Sequence, residues 1–231
     1  MNQSLTPQES ENNYTQFPFE HLLTQEEMNE LIGASNKVDY SKKDVIFKQN
    51  SRVTEIAYVQ SGLIKLSREM RKGKNIVLRI VQKGTFLGLP SVFDNEIYEY
   101  SAISIEPTTI WFFDTKIFKN LILSNGPFAQ ETISQLAKDN IFNITRLSSL
   151  LYKQLPGRVA DIILYFSEEI YMSNSFSIPL TRQELAELAG TTKESLIRTL
   201  SEFNNDKIID LTRNGFTINS LHIIKTLSRL G

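Results

Sequence analysis

Between Asp39 and Phe113 the chain alternates short apolar runs with turn residues. Val45–Phe47, Ile56–Val59, Leu63–Leu66, Ile76–Val81, Phe86–Leu87, Ser101–Ile105 and Thr109–Phe113 each read as a strand. Ser61-Gly62, Lys72-Gly73-Lys74 and Lys83-Gly84 mark turns between them. Many short strands at close spacing predict an antiparallel β-roll of the jelly-roll kind. A short helix is predicted before it, over residues 19–31, where Thr24 and Glu27 have the spacing of a capping box. Asp114 caps a further helical stretch, Lys116 to Leu123.

From Pro127 to Leu155 the pattern is helical, with no glycine and no internal proline. One stripe is Ala137, Ile141, Ile144, Ser148 and Leu151, at alternating steps of four and three; another is Ile133, Leu136, Asn143, Leu147 and Leu150. A stripe at 3.5-residue spacing is a coiled-coil seam. Two stripes predict two partners, the helix's own domain and a second copy of the chain. The bland alternative is a single buried core helix. Leu155-Pro156-Gly157 interrupts the helix and marks a domain boundary. Another helix follows over 158–171, with Val159, Ile162, Ile163, Tyr165 and Phe166 as its apolar positions, and Met172–Ser175 reads as a loop.

Residues 180–200 carry the clearest functional signal. Thr181 is an N-cap with Glu184 three residues on, and Leu185 and Leu188 form the apolar side of a first helix. Ala186 is small where a second helix could cross, and Gly190 suits a turn that needs a positive φ. Thr192 caps the second helix, whose Leu196, Leu200 and Phe203 recur at i, i+4 and i+7. Its remaining face holds Lys193, Glu194, Ile197, Arg198 and Ser201, which include side chains able to reach base edges. Ile208–Leu211 and Phe216–Ile218 then flank Asn214-Gly215, a strong hairpin signal. A hairpin directly after a helix-turn-helix is a wing.

Composition limits the chemistry. The 231 residues allow one large domain or two small ones, and 41% apolar residues suffice for a real core. No cysteine is present, which removes disulfides, iron–sulfur clusters and thiolate metal sites. Only His21 and His222 occur, far apart in sequence, so clustered-histidine catalysis and metal binding are not expected. With 25 basic and 26 acidic residues the net charge is −1. From Leu151 onward there are nine of each sign, so any affinity for DNA must come from a focused patch. No apolar run approaches the ~18 residues of a membrane span. Residues 1–18 are expected to be flexible, and without a secretory signal the expected location is the cytoplasm.

The order of parts resembles the Crp–Fnr family of transcription regulators, over about residues 19–230. Two local matches support it: Gly84-Thr85-Phe86-Leu87-Gly88, similar to the family's glycine-flanked roll turn, and Gly157-Arg158-Val159-Ala160 at the start of the DNA-binding domain. Lys193-Glu194-Ser195-Leu196-Ile197-Arg198 resembles the family's recognition-helix pattern. The resemblance implies an α+β chain: a cyclic-nucleotide-binding-like roll at 19–126, a dimerisation helix at 127–155 and a winged helix-turn-helix at 156–231. It implies a homodimer that reads a palindromic site on double-stranded DNA, with RNA polymerase as a further partner. Arg198 would then donate to guanine and Glu194 accept from cytosine, with Lys193 a less certain base contact and Ile197 on a thymine methyl. Thr181, Arg182 and Gln183 would meet phosphate, Thr192 and Ser195 would lie at the DNA, and Arg213 of the wing would either touch phosphate or stand as an ordinary exposed turn arginine. A surface ion pair of Glu194 with Arg198 is the bland alternative.

The resemblance breaks at the effector pocket. Members that bind cyclic nucleotides use a Gly-Glu pair and an Arg-Ser pair; here Gly88 is followed by Leu89, and Tyr100 stands at the arginine position before Ser101. Cyclic AMP is therefore not expected to bind in the usual way. Gly88, Leu89, Ser91, Tyr100, Ser101 and Asn143 are candidates for a redesigned lining or for core filling. Neither histidine lies in the roll, so haem is not expected. The competing readings are a roll sensor whose winged helix contacts protein, and a cupin-type enzyme, which would need clustered His and carboxylates that the strands lack.

Overall fold

A computed structural model describes residues 19–71, 73–212 and 215–231. The predicted flexible segment 1–18 lies outside the described residues, as does Arg213. Helix α1 (Gln25–Gly33) starts at the predicted capping box: Thr24 Oγ1 accepts the Glu27 N–H, and the Thr24 N–H donates to Glu27 Oε2 at 2.8 Å. The helix does not reach back to residue 19; Glu20–Leu22 form a separate 3-10 turn and Leu23 is extended.

Eight strands build the roll: β1 (Ser35–Tyr40), β2 (Val45–Phe47), β3 (Glu55–Ser61), β4 (Ile64–Arg71), β5 (Lys74–Val81), β6 (Phe86–Leu87), β7 (Ser101–Ser104) and β8 (Thr108–Asp114). They pair as two antiparallel four-stranded sheets, β1-β8-β3-β6 and β2-β7-β4-β5. Ile56, Val59, Ile64, Ile110 and Phe113 are fully buried in or beside the space they enclose. β1 escaped the apolar pattern because Ser-Asn-Lys-Val-Asp-Tyr is mostly polar. It is an edge strand, held by a six-residue register against β8 from Ser35↔Phe113 to Tyr40↔Thr108. Edge position favours polar side chains. A short helix α2 (Leu89–Phe93) follows β6.

Two helices leave the roll. In α3 (Thr115–Ser124) the Asp114 carboxylate accepts the N–H groups of Lys116 and Ile117, as its cap position predicts. In α4 (Gly126–Tyr152) Asn125 accepts the Phe128 N–H at 2.9 Å. α4 ends before the predicted Leu155. A helix continued through Pro156 would drive its ring into the carbonyl four residues back, that of Tyr152. Lys153 accordingly turns extended (ψ 143°), and Pro156 sits in the first turn of a new helix, α5 (Leu155–Leu164). A π-helical turn, Tyr165–Ile170, completes the segment predicted at 158–171.

The inward side of α4 differs from expectation. Ala137, Ile141, Ile144, Ser148 and Leu151 are exposed, and so are Ile133, Asn143, Leu147 and Leu150; of the second stripe only Leu136 is half-buried against the roll core. The face turned toward its own chain is Phe128, Thr132, Gln135, Asp139, Phe142, Arg146 and Ser149, again at steps of four and three. This third stripe is mostly polar and carries its own partners, so hydropathy does not reveal it. Gln135 bonds the N–H and the carbonyl of Phe86, Arg79 pairs with Asp139, and Ser149 donates to Asp161.

The C-terminal part adds β9 (Ser175–Ser177), α6 (Arg182–Ala189), α7 (Lys193–Asn205), β10 (Ile209–Leu211), β11 (Gly215–Ile218) and α8 (Leu221–Leu230). The predicted hairpin is β10–β11, and β9 pairs with β11 as a third strand, so the loop predicted at 172–175 is shorter than expected. A Cβ on Gly215 would lie 1.9 Å from the Phe176 carbonyl oxygen, so this close pairing requires the glycine. The core of this part extends into the roll: Leu63, Val77, Ile80 and Ile105 are buried in one cluster with Val159, Leu185 and Leu196.

Candidate nucleic-acid interface

α6 and α7 form the helix-turn-helix. Thr181 and Glu184 complete the predicted capping box, with the Thr181 N–H to Glu184 Oε2 at 2.8 Å. Gly190 ends α6 with φ 62° and ψ 45°, the left-handed conformation that glycine adopts without steric cost. The Thr191 N–H returns to the Ala186 carbonyl at 3.0 Å, closing the turn. Thr192 then caps α7 by accepting the Ser195 N–H at 3.2 Å. Leu196, Thr199, Leu200 and Phe203 are buried beneath α7.

The opposite face of α7 presents Lys193, Glu194, Ile197, Arg198 and Ser201, all exposed. Among the described residues neither Glu194 nor Arg198 enters an ion pair, so the surface pair between them, the bland alternative, does not form. Both are free to meet a ligand. Thr192 and Ser195 are engaged with each other, hydroxyl to hydroxyl at 3.0 Å. At the start of α6, Thr181 and Gln183 are exposed, and Gln183 bonds Glu187. Arg182 departs from the expectation of a free phosphate contact. It is half-buried, its guanidinium stands over the Phe216 ring at 5.5 Å, and burial pushes its pKa down. That packing ties α6 to the wing.

The reading head is docked on the roll. Lys65 of β4 forms an ion pair with Glu184, the same residue that completes the cap of α6. Burial raises the Glu184 pKa, but the Lys65 ammonium and the Thr181 hydrogen bonds outweigh it and hold the carboxyl below its ordinary value. Arg146 of α4 donates from one nitrogen to the carbonyls of Val77 in β5 and Leu188 in α6, each at 2.8 Å. The Tyr165 hydroxyl donates to the Ile80 carbonyl. Sequence reading missed these residues. The signal available was the four-and-three spacing of Asp139, Phe142, Arg146 and Ser149, which apolar counting passes over.

In the roll, Gly88, Leu89, Ser91 and Tyr100 come together. Gly88 has φ 81° and caps α2, Leu89 and Ser91 are buried, and the Tyr100 hydroxyl accepts the Gly88 N–H at 2.9 Å. Two predicted lining residues do not join them. Ser101 opens strand β7 directly after Tyr100, and its hydroxyl is engaged elsewhere, accepting the Gln49 N–H. Asn143 is exposed on α4, off the inward stripe.

A two-sheet roll, a long helix and a winged helix-turn-helix with an open recognition face define a DNA-binding regulator with a sensor-type domain. The family model for the cyclic nucleotide-binding domain matches residues 37–125, and that for the Crp-like helix-turn-helix domain matches residues 157–227. The chain belongs to the Crp–Fnr family of transcription regulators. It is 24% identical over 216 residues to the anaerobic regulatory protein of Bacillus subtilis, covering 86% of each chain. It is 22% identical over 170 residues to the CRP-like cAMP-activated global transcriptional regulator of Mycobacterium tuberculosis, covering 72% of this chain and 76% of that one. Among solved structures, FixK2 from Bradyrhizobium japonicum superposes with a TM-score of 0.76 at 15% identity, over 84% of this chain and 96% of the other. The two relatives from Bacillus subtilis and Mycobacterium tuberculosis are regulators by name. Among the described residues no helix is long and apolar enough to cross a membrane.

Proposed function

We propose that two copies of the chain pair along α4 and read a palindromic DNA site, one α7 in each of two successive major grooves. The observation that carries this reading is the face of a capped helix, α7, where Lys193, Glu194, Ile197 and Arg198 are exposed and, among the described residues, Glu194 and Arg198 enter no ion pair. Arg198 donates to O6 and N7 of guanine, Glu194 accepts from N4 of cytosine, and Ile197 rests on a thymine methyl. Lys193 adds a point charge, and the N–H groups of Arg182 and Gln183 at the start of α6 meet phosphate. Pairing uses Ala137, Ile141, Ile144, Ser148 and Leu151, widened by Ile133 and Leu147; Ile141 is 64% and Leu151 69% exposed in the single chain. A dimer places the two helices about 34 Å apart, one DNA turn.

The roll does not take cyclic AMP in this reading. Leu89 stands where a ribose acceptor is needed, and the Tyr100 hydroxyl already occupies the Gly88 N–H. An iron–sulfur input is ruled out by the absence of cysteine, and a haem input finds no histidine between His21 and His222. RNA polymerase is the further partner, and the cytoplasm the working compartment. Arg198→Ala tests the core of the proposal. Operator affinity in a shift assay falls about 10- to 100-fold, the cost of one bidentate base contact. Unchanged affinity in a folded dimer overturns the assignment of α7 as the reading helix.

A further inference from the structure

A cavity of about 280 Å³ lies where α4, α5, α6 and α8 meet, and among the described residues none of the roll lines it. Its apolar walls include Phe142, Leu150, Ile162, Leu164 and Leu188. Arg146, Lys153, Arg158, Asp161, Glu168 and Glu169 bring charge to it. Two of these charges are neutralised inside and one outside: Lys153 pairs with Asp161 at 2.8 Å, and Glu168 pairs with Lys225 at 2.8 Å. Asp161 also accepts from Ser149 and Ser228, so its lone pairs are used. Glu169 is exposed at the edge.

Arg146 and Arg158 remain. Among the described residues the Arg146 guanidinium gives hydrogen bonds to the Val77 and Leu188 carbonyls, and the Arg158 guanidinium to those of Ala189 and Lys153. Among the described residues no carboxylate lies within ion-pair distance of either one. A guanidinium has five N–H donors, so each keeps donors beyond the two it uses. Half-buried cations without an anion are costly, and burial pushes the Arg146 pKa down, with the Tyr165 hydroxyl opposing. Two such guanidinium groups beside apolar walls form a site with the two halves that an amphipathic acid requires.

We propose that this cavity binds a small organic acid, its carboxylate held by Arg146 and Arg158 and its acyl or aryl body against Phe142, Leu150, Ile162 and Leu188. The volume suits an acid of roughly ten non-hydrogen atoms or a little more, at ~30 Å³ for each water displaced. The site supplies an effector input outside the roll, so its regulatory role rests on the DNA-reading proposal above. Arg146 is the link: the same guanidinium that would hold the acid joins β5 to α6, so occupancy bears on how the reading head docks.

Calorimetric titration of the full chain with octanoate, phenylacetate and benzoate tests the site, with octan-1-ol as the neutral control. At least one acid binds saturably at one per chain, and octan-1-ol binds at least about tenfold more weakly. Arg158→Gln weakens the acid about tenfold or more, and so does Thr145→Trp, which fills the mouth from an exposed position and leaves the core intact. No saturable binding of any acid at millimolar concentration overturns the proposal, as does binding that both variants leave unchanged. A chain that shifts operator DNA but takes up no acid overturns the cavity assignment alone. A chain that binds acid but no DNA keeps the site and overturns the regulator reading.

Discussion

The Tyr100 hydroxyl accepts the Gly88 N–H at 2.9 Å, placing a phenol where a ligand's oxygen would otherwise meet that amide. Burial pushes the Tyr100 pKa up to about 12, so the group is neutral across the accessible range and does not imitate an anion. The adjacent geometry leaves little slack: a Cβ on Gly88 would stand 2.6 Å from Cε1 of Tyr98. Tyr100→Phe removes the acceptor and leaves the buried amide unsatisfied. Unfolding in urea then shows a loss of about 1–2 kcal/mol. Calorimetry finds no cyclic AMP binding in either protein, because neither has an arginine at position 100 or a carboxylate at position 89. Micromolar binding to the wild type overturns the closed-pocket reading.

The Lys65–Glu184 pair makes the docking of α6 sensitive to acid. The carboxyl has a lower pKa folded than unfolded, so its stabilisation is complete at neutral pH. It is lost as pH falls below the ordinary value of 4.5 and through the lowered folded value. Lys65→Met should cost about 1–3 kcal/mol at pH 7, the worth of a hydrogen bond to a charged group. The difference from wild type narrows in acid, where Glu184 is protonated in both. A difference that does not change with pH would assign the effect to packing of the lysine stem instead.

The roll and the reading head were largely legible in the sequence, for a common reason. Their signals are local: short apolar runs bounded by turn residues in β3 and β8, and the Thr181–Glu184 and Thr192–Ser195 spacings with Gly190 between them. What stayed hidden depends on partners distant in sequence. β1 is polar because its stability comes from β8, about 70 positions away. The inward stripe of α4 is hidden because Asp139 and Arg146 find partners on β5 and α6. Arg182 has the sequence of a phosphate contact, and only the fold brings Phe216 beneath it. Polar residues are ambiguous until their counterparts are known, whereas an apolar period declares its own face.

Gly190 is required twice over. Its φ of 62° disfavours a side chain, and an added Cβ would stand 2.6 Å from Cδ2 of Leu150 on α4. Gly190→Ala should therefore destabilise by about 1–2 kcal/mol from the left-handed backbone, less whatever Leu150 relieves by turning aside. Leu150→Ala in the same chain separates the two causes. If the double variant regains part of the loss, the contact contributes. If it regains none, backbone conformation accounts for the whole effect.

Ile144 decides whether α4 is an interface. It is 55% exposed in the single chain, with Ile141 and Leu151 on the same face. Ile144→Glu should therefore leave the unfolding midpoint of the isolated chain nearly unchanged, within about 0.5 kcal/mol, as for other surface substitutions. In a dimer paired along this stripe the outcome differs. Two isoleucines lose their burial at once, at ~1.5–3 kcal/mol each, which weakens association about 100-fold or more. Sedimentation velocity should then show a monomer at micromolar concentration. Affinity for a palindromic operator falls with it, while affinity for a half-site holds. A variant that stays dimeric places the contact elsewhere, and the pairing of recognition helices would have to be rebuilt from that other surface.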